Sequence, residues 1–222
     1  MFIMKRKPMT RDPVDELVPE MVIALGAARL AALLVDCAQT NASLRRQLVF
    51  ERSVHAGSDT IASIRQWMAQ LREDMTFLDR EACRPIASEF AALRAAITTH
   101  VAPEYALELM WAWFTLAGTI ADRTTEECWE IGCSCEQGCR DVVRLSVEAD
   151  VEPIALITQM ADALAVEHFG EYGALPRAIA ALESSASSYL SQFRGALQRA
   201  LDEATPGSTR CKMLQSLQQA LA

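Results

Sequence analysis

The sequence predicts an all-α protein built from stacked antiparallel helical hairpins. Apolar residues recur with the period of a helix along the chain, and the 9 glycines and 8 prolines fall mostly between the periodic segments. Alanine and leucine dominate and runs of β-branched residues are rare, which favours helix over strand. Short connections make successive helices antiparallel. We therefore expect an α-solenoid-like, helical-repeat superhelix, with a compact helical bundle as the alternative.

The helices can be placed in order from their apolar spacing and their first residues. The first carries apolar residues at i, i+3, i+4 and i+7: Leu30, Leu33, Leu34 and Cys37. Later helices begin at a capping residue or a first-turn proline: Asn41, Asp79, Pro103 and Pro153. Thr124-x-x-Glu127 has the form of a capping box. This pattern predicts about ten helices.

Composition sets the domain plan and excludes several classes of protein. We predict a flexible basic tail over residues 1–13, a single α-helical domain over 14–204 and a short C-terminal helix over 205–222. The net charge of −8 disfavours a nucleic-acid partner, which would need a basic face. The most apolar early stretch, residues 21–28, is far shorter than the roughly 18 residues that span a membrane. We expect a cytoplasmic protein whose seven cysteines are thiols or metal ligands.

Residues 26–181 resemble a family of uncharacterised bacterial α-helical domains of unknown function. The residues that carry the resemblance are Leu30-Ala-Ala-Leu-Leu34, Thr40 to Leu48, Ile64 to Phe77, Ala106-Leu-Glu-Leu109, Asp122-Arg-Thr-Thr125 and Glu171-Tyr-Gly173. The resemblance implies a helical-repeat-like fold. It implies no catalytic residue and no cofactor, and the clustered cysteines of this chain are not part of the family pattern.

Four of the seven cysteines lie within twelve residues: Cys128, Cys133, Cys135 and Cys139. Three interpretations are open: a zinc or iron–sulfur site, a redox-active thiol pair, and small buried residues on a helix face. On one continuous helix, Cys128 and Cys139 would lie roughly 16 Å apart, whereas zinc holds its sulfur ligands at about 2.3 Å. A metal site therefore requires the helix to break, and Gly132 is the place where it could.

Helix geometry favours the packing interpretation. At about 100° per residue, Cys128, Cys135 and Cys139 share a narrow arc, whereas Cys133 points away from it. The same face carries four other small or β-branched residues: Gly132, Val142, Val143 and Ser146. Free cysteine packs as a small hydrophobic residue. A redox role would need an exposed thiol with a lowered pKa, and the acidic neighbours Glu130 and Glu136 oppose such a shift.

The aromatic segment of the sixth periodic stretch offers a possible binding residue. Trp111 and Phe114 lie on one apolar stripe, which predicts that both are in the core. Trp113 lies near the opposite side of the helix. It fills a second buried interface or stands exposed as a partner-binding anchor, a role in which tryptophan is enriched.

We expect a non-enzymatic scaffold that binds another protein or a peptide, with no cofactor, because no catalytic or nucleotide-binding motif occurs in the chain. The alternative is a zinc- or redox-sensing protein that uses Cys128, Cys133, Cys135 and Cys139.

Overall fold

The computed structural model describes residues 18–74, 76–124, 129–182 and 186–221. Over these residues the chain forms eleven helices and no strand, which confirms the all-α prediction. The helices are α1 (Pro19–Ile23), α2 (Ala27–Thr40), α3 (Ala42–His55), α4 (Thr60–Glu73), α5 (Arg80–His100), α6 (Pro103–Ala121), α7 (Trp129–Glu148), α8 (Pro153–Ala165), α9 (Leu175–Ala180), α10 (Ser187–Glu203) and α11 (Thr209–Ala220). Among the described helices, none combines the length and the apolar character that crossing a membrane requires.

Helix starts follow the expected capping chemistry. The carboxylate of Asp79 accepts a hydrogen bond from the backbone N–H of Ala82 at 2.8 Å, and Asn41 Oδ1 accepts one from the N–H of Leu44 at 3.0 Å. Each bond satisfies an N–H group that the helix itself leaves without a partner. The helices α6 and α8 begin at Pro103 and Pro153, as the sequence predicts.

The described residues divide into two compact units, with the boundary between Arg45 and Arg46. The predicted plan of a tail over 1–13, one domain over 14–204 and a C-terminal helix over 205–222 stays a prediction. The helix α11 belongs to the second unit, because Leu214 and Leu217 are fully buried in its hydrophobic core. In the first unit, α1 and α2 are joined by a turn in which Gly26 has a φ of +77°, a value that favours glycine.

Within the second unit, α4 packs on α5 and α6, and α5 packs on α6 and α7. Further along the chain, α7 contacts α9, and α8 contacts α10 and α11. Their apolar faces form one core, whose largest fully buried side chains include Trp113, Phe90 and Phe114. Whether these contacts make a solenoid or a compact bundle stays a prediction.

A buried ion pair joins three helices of this unit. Glu89 on α5 is fully buried. Its carboxylate accepts two hydrogen bonds from the guanidinium of Arg46, at 2.5 and 2.8 Å, and a third from the indole N–H of Trp67 at 2.7 Å. Three donors satisfy a charge that would be costly to bury alone. The pair therefore fixes α3, α4 and α5 relative to one another.

Arg123 ties the end of α6 to the segment between α4 and α5. Its guanidinium, which is almost fully buried, donates to the carbonyl oxygens of Thr76 at 3.0 Å and Leu71 at 3.3 Å. The backbone N–H of Leu78 donates in return to the carbonyl oxygen of Arg123 at 2.9 Å. Arg123 belongs to one of the segments that carry the family resemblance, and its role there is structural.

Candidate functional site

The helix α7 runs without a break from Trp129 to Glu148 and passes through Gly132. The interruption that a metal site would require is therefore absent from the described part of this helix. The fourth clustered cysteine, Cys128, and the capping residue Glu127 lie outside the described residues.

The described cysteines of α7 fall on two sides of the helix. Cys135 and Cys139 are buried, with exposed fractions of 1% and 0%, whereas Cys133 is exposed. The predicted packing face is present, since Val142, Val143 and Ser146 are buried with these two cysteines. One member is wrong: Gly132, which we placed near this face, is exposed, and a Cβ added there would meet no atom within 4 Å.

Gly138 is the glycine that the packing of α7 requires. A Cβ at this position would lie 2.6 Å from Cζ3 of Trp113 and 3.0 Å from Cζ of Phe114. Both rings belong to α6, so the absence of a side chain at Gly138 lets α6 and α7 approach closely. Cys135 and Val142 lie about one turn to either side of Gly138, so all three belong to the same buried stripe of α7.

Trp113 is a core residue and cannot serve as an exposed anchor for a partner. Its side chain is fully buried, its ring stacks on Phe90 with centroids 3.8 Å apart, and its indole N–H donates to the carbonyl oxygen of Phe90 at 3.0 Å. The partner-binding role considered for Trp113 is therefore wrong. The helix α6 packs on α4, α5 and α7, so a residue opposite the Trp111 stripe is buried as well.

Burial makes the two inward thiols chemically inert near neutral pH. Burial raises the pKa of the Cys135 thiol, and the nearby Cys139 and Glu171 raise it further. Burial likewise raises the pKa of Cys139 from its ordinary value of 9.0 to about 12. The thiol of Cys139 donates a hydrogen bond to the carbonyl oxygen of Glu171 at 3.6 Å. A protonated thiol is a poor metal ligand and a poor nucleophile.

The predicted metal-ligand set is not assembled by the residues that the structure describes. Cys133 faces solvent while Cys135 and Cys139 face the core, so these three sulfurs do not converge. Across the described ranges, no group of three or more histidine, cysteine, aspartate or glutamate side chains is placed to hold a metal ion.

A loop closed by two glutamates covers the cysteine face. The carboxylate of Glu171, which is buried, accepts hydrogen bonds from the backbone N–H groups of His168 and Phe169 at 3.2 and 3.0 Å. The carboxylate of Glu167 accepts one from the N–H of Tyr172 at 3.1 Å. The ring of Tyr172 lies 5.0 Å from that of Phe114. The resemblance pointed to Glu171-Tyr-Gly173, but the sequence did not show what these residues do.

An open groove of about 550 Å³ lies between α7, α9 and the start of α10, and Val143 of the cysteine face contributes to its lining. It is lined by Arg140, Val143, Arg144, Val147, Glu148, Ala178, Ala181, Leu182 and Ala186. Most of these side chains are apolar, and the charged ones all come from α7. Volumes of roughly 300–1,000 Å³ are usual for binding sites.

The two arginines of the groove are held differently. The guanidinium of Arg144 donates to Glu148 at 2.8 Å and to Asp141 at 3.4 Å. Arg140 donates to Glu136 at 2.6 Å, one turn back along the helix, and both of these side chains are about half exposed to solvent. Arg144 is therefore part of a network, whereas the ion pair of Arg140 is a single solvated contact.

The fold and the groove describe an all-α protein. Its surface carries an apolar groove with two arginines at the rim, and its core includes the buried Cys135, Gly138 and Cys139 of α7. Residues 15–220 match the family of unknown function DUF6880, and the chain belongs to that family. The match extends beyond residues 26–181, where the resemblance was seen in the sequence. No curated protein and no solved structure matches the chain.

Proposed function

We propose that the chain is a non-enzymatic scaffold that binds an unstructured segment of another protein in the groove between α7, α9 and α10. The segment carries an apolar side chain next to an aspartate or glutamate. The observation that carries this proposal is the combination of an apolar floor with two arginines on one rim.

The floor of the groove favours an apolar side chain. Val143, Val147 and Leu182 contribute branched side chains, and alanines fill the remaining positions. An apolar side chain that leaves water for such a surface gains about 25 cal/mol per Å² of buried apolar area. The alanine side chains are small and leave space in the groove, so it can accept a larger apolar residue of the ligand.

The charged rim of the groove favours a ligand that carries a carboxylate. Among the described residues of the lining, Arg140 and Arg144 are cationic and Glu148 is anionic. The exposed pair of Arg140 with Glu136 is worth at most about 1 kcal/mol. Arg140 can therefore turn from Glu136 to a ligand carboxylate at little cost, and a bidentate arginine–carboxylate contact fixes the orientation of the ligand.

A cytoplasmic, helical-repeat scaffold remains part of the proposal. Six cysteines of the described residues carry free thiols, which suits a reducing compartment: Cys37, Cys83, Cys133, Cys135, Cys139 and Cys211. The alternative of zinc or redox sensing has less support, because the only outward-facing thiol of the described cluster is that of Cys133.

The test is selection from a displayed library of random short peptides against the immobilised full-length chain. The expected result is enrichment of peptides in which an aliphatic or aromatic residue neighbours an aspartate or glutamate. The selected peptide is then synthesised and titrated against the wild-type chain and two variants, Arg140→Glu and Leu182→Asp.

We expect Arg140→Glu to weaken binding at least tenfold, which corresponds to about 1.4 kcal/mol. Leu182→Asp should weaken it further. The matched control is Arg199→Glu, which makes the same charge change at an exposed position in the last third of α10. If Arg140→Glu and Arg199→Glu reduce affinity equally, attraction to the groove is not the cause, and the proposal fails. A library that yields no enriched motif also counts against it.

A further inference from the structure

The helix α2 carries an apolar stripe that the described residues leave partly exposed. Leu30, Leu33, Leu34 and Cys37 follow one another at helical spacing. Leu34 and Cys37 are exposed, and Leu30 and Leu33 are half-buried. Leu34 alone exposes 42% of its surface. Only Ala38 of this 14-residue helix is buried. A stripe of leucines in contact with water is unfavourable unless another surface covers it.

The two charged residues of α2 indicate which surface covers the leucine stripe. Arg29 is the only cation of the helix and Asp36 the only anion. They lie seven residues apart, which is two turns, so both sit on the same flank of the leucine stripe within about 20°. Neither makes an ion pair with another of the residues that the structure describes. A helix with one positive and one negative charge on one flank is complementary to its own reversed copy.

We propose that the apolar stripe of α2 binds α2 of a second copy of this chain, with the two helices antiparallel. In heptad terms Leu30 and Leu33 occupy the a and d positions, and Arg29 and Asp36 both occupy g. Antiparallel pairing brings g opposite g. The register that packs Leu30 against Leu33 of the second copy also places Arg29 opposite Asp36, twice by symmetry.

Parallel pairing does not give this complementarity. It would bring each g residue opposite an e residue of the other copy. The e positions of α2 are Ala27 and Leu34, which carry no charge. The antiparallel arrangement also sets the two helix dipoles in opposite directions. The interface has isologous two-fold symmetry, which is the commonest form of homodimer.

The expected affinity is modest. A helix of 14 residues is about 21 Å long, and contact along one stripe buries less than the roughly 1,200 Å² of a stable standard interface. Association should therefore be reversible and should depend on protein concentration, and sedimentation velocity of the full-length chain over several decades of concentration measures it.

Charge exchange tests the antiparallel register. Arg29→Glu sets two like negative pairs in the homodimer, and Asp36→Arg sets two like positive pairs. We expect each variant alone to weaken self-association at least tenfold. Mixed together, they should associate at least as well as wild type, because each introduced charge then faces an opposite charge in the other chain. If each variant self-associates as wild type does, or if mixing restores nothing, the pairing is wrong.

A second pair of variants tests the stripe itself. Leu33→Asp places a carboxylate within the stripe, and Val35→Asp places one on the other side of the same helix, where Val35 is 60% exposed. We expect the first to abolish self-association and the second to leave it intact. A wild-type chain that stays monomeric at every concentration overturns the proposal. This result would not affect the groove, which the peptide titration tests separately.

Discussion

Two separate glycine-to-alanine substitutions in α7 test whether α6 packs closely against this helix. Gly138→Ala places a methyl group 2.6 Å from Trp113 and 3.0 Å from Phe114. The Trp113 ring cannot move freely, because it is stacked on Phe90 and hydrogen-bonded to its carbonyl oxygen. Gly132→Ala makes the same chemical change in the same helix, but its methyl group meets no atom within 4 Å.

The expected changes in the free energy of unfolding differ between the two variants. Alanine in place of glycine inside a helix stabilises by up to about 1 kcal/mol, and this gain applies at both positions. Overpacking a core costs roughly 1–3 kcal/mol, and this cost applies only at Gly138. We expect Gly132→Ala to raise the free energy of unfolding and Gly138→Ala to lie roughly 1–3 kcal/mol below it.

Urea unfolding followed by far-ultraviolet circular dichroism measures this difference. Thermal unfolding should show it as a gap of roughly 4–8 °C in Tm for a difference of about 2 kcal/mol in a chain of this size. If the two variants have equal free energies of unfolding, α6 does not pack against Gly138, and the account of the cysteine face is refuted.

Three further predictions concern the core. Glu89→Leu leaves Arg46 without its partner and should lower the free energy of unfolding by about 3 kcal/mol. The control, Glu108→Leu, breaks the exposed ion pair with Arg65 and should lower it by less than about 1 kcal/mol in the same denaturation assay. A maleimide reagent should label Cys133 in the native protein and Cys139 only after denaturant is added; labelling of both at equal rates would contradict the burial. Burial raises the pKa of the Tyr172 hydroxyl from 10.0 to about 12. The unfolded chain therefore loses this proton at lower pH than the folded chain, and the free energy of unfolding should fall as pH rises from about 10 to about 12. Ultraviolet titration of the wild type against Tyr172→Phe measures this pKa.

Periodicity predicts the helices well because the long helices of the second unit, from α4 onward, each bury a stripe of residues. The starts at Asn41, Asp79, Pro103 and Pro153 follow from local chemistry within a few residues. The burial of Cys135 and Cys139 could also be derived, since angles around a helix depend only on residue spacing. These features need no knowledge of the neighbouring helices.

Contacts between distant residues could not be derived in this way. Gly132 and Gly138 look alike in the sequence, and only the position of Trp113 on α6 decides which of them a neighbouring helix touches. The pairing of Arg46 with Glu89 spans 43 residues and has no local signal. Trp113 was considered as an exposed anchor because one helix seen alone has an outer side, whereas α6 is covered by several helices.

The groove could not be predicted for the same reason. Its residues come from α7, α9, the segment after α9 and the start of α10, and they share no motif. Val143 and Val147 alone look like ordinary helix residues. What the sequence does show is the i, i+4 spacing of Arg140 and Arg144, which places both arginines on one side of α7.

Methyl-group NMR of the chain with a selected peptide tests the central claim most directly. The leucine, isoleucine and valine methyl signals are assigned, and the peptide is titrated in. If the groove binds the peptide, the largest chemical-shift changes will occur at Val143, Val147 and Leu182, and Arg140→Glu will reduce them. Changes that centre on other residues, such as the leucines of α2, with these three signals unmoved, would contradict it.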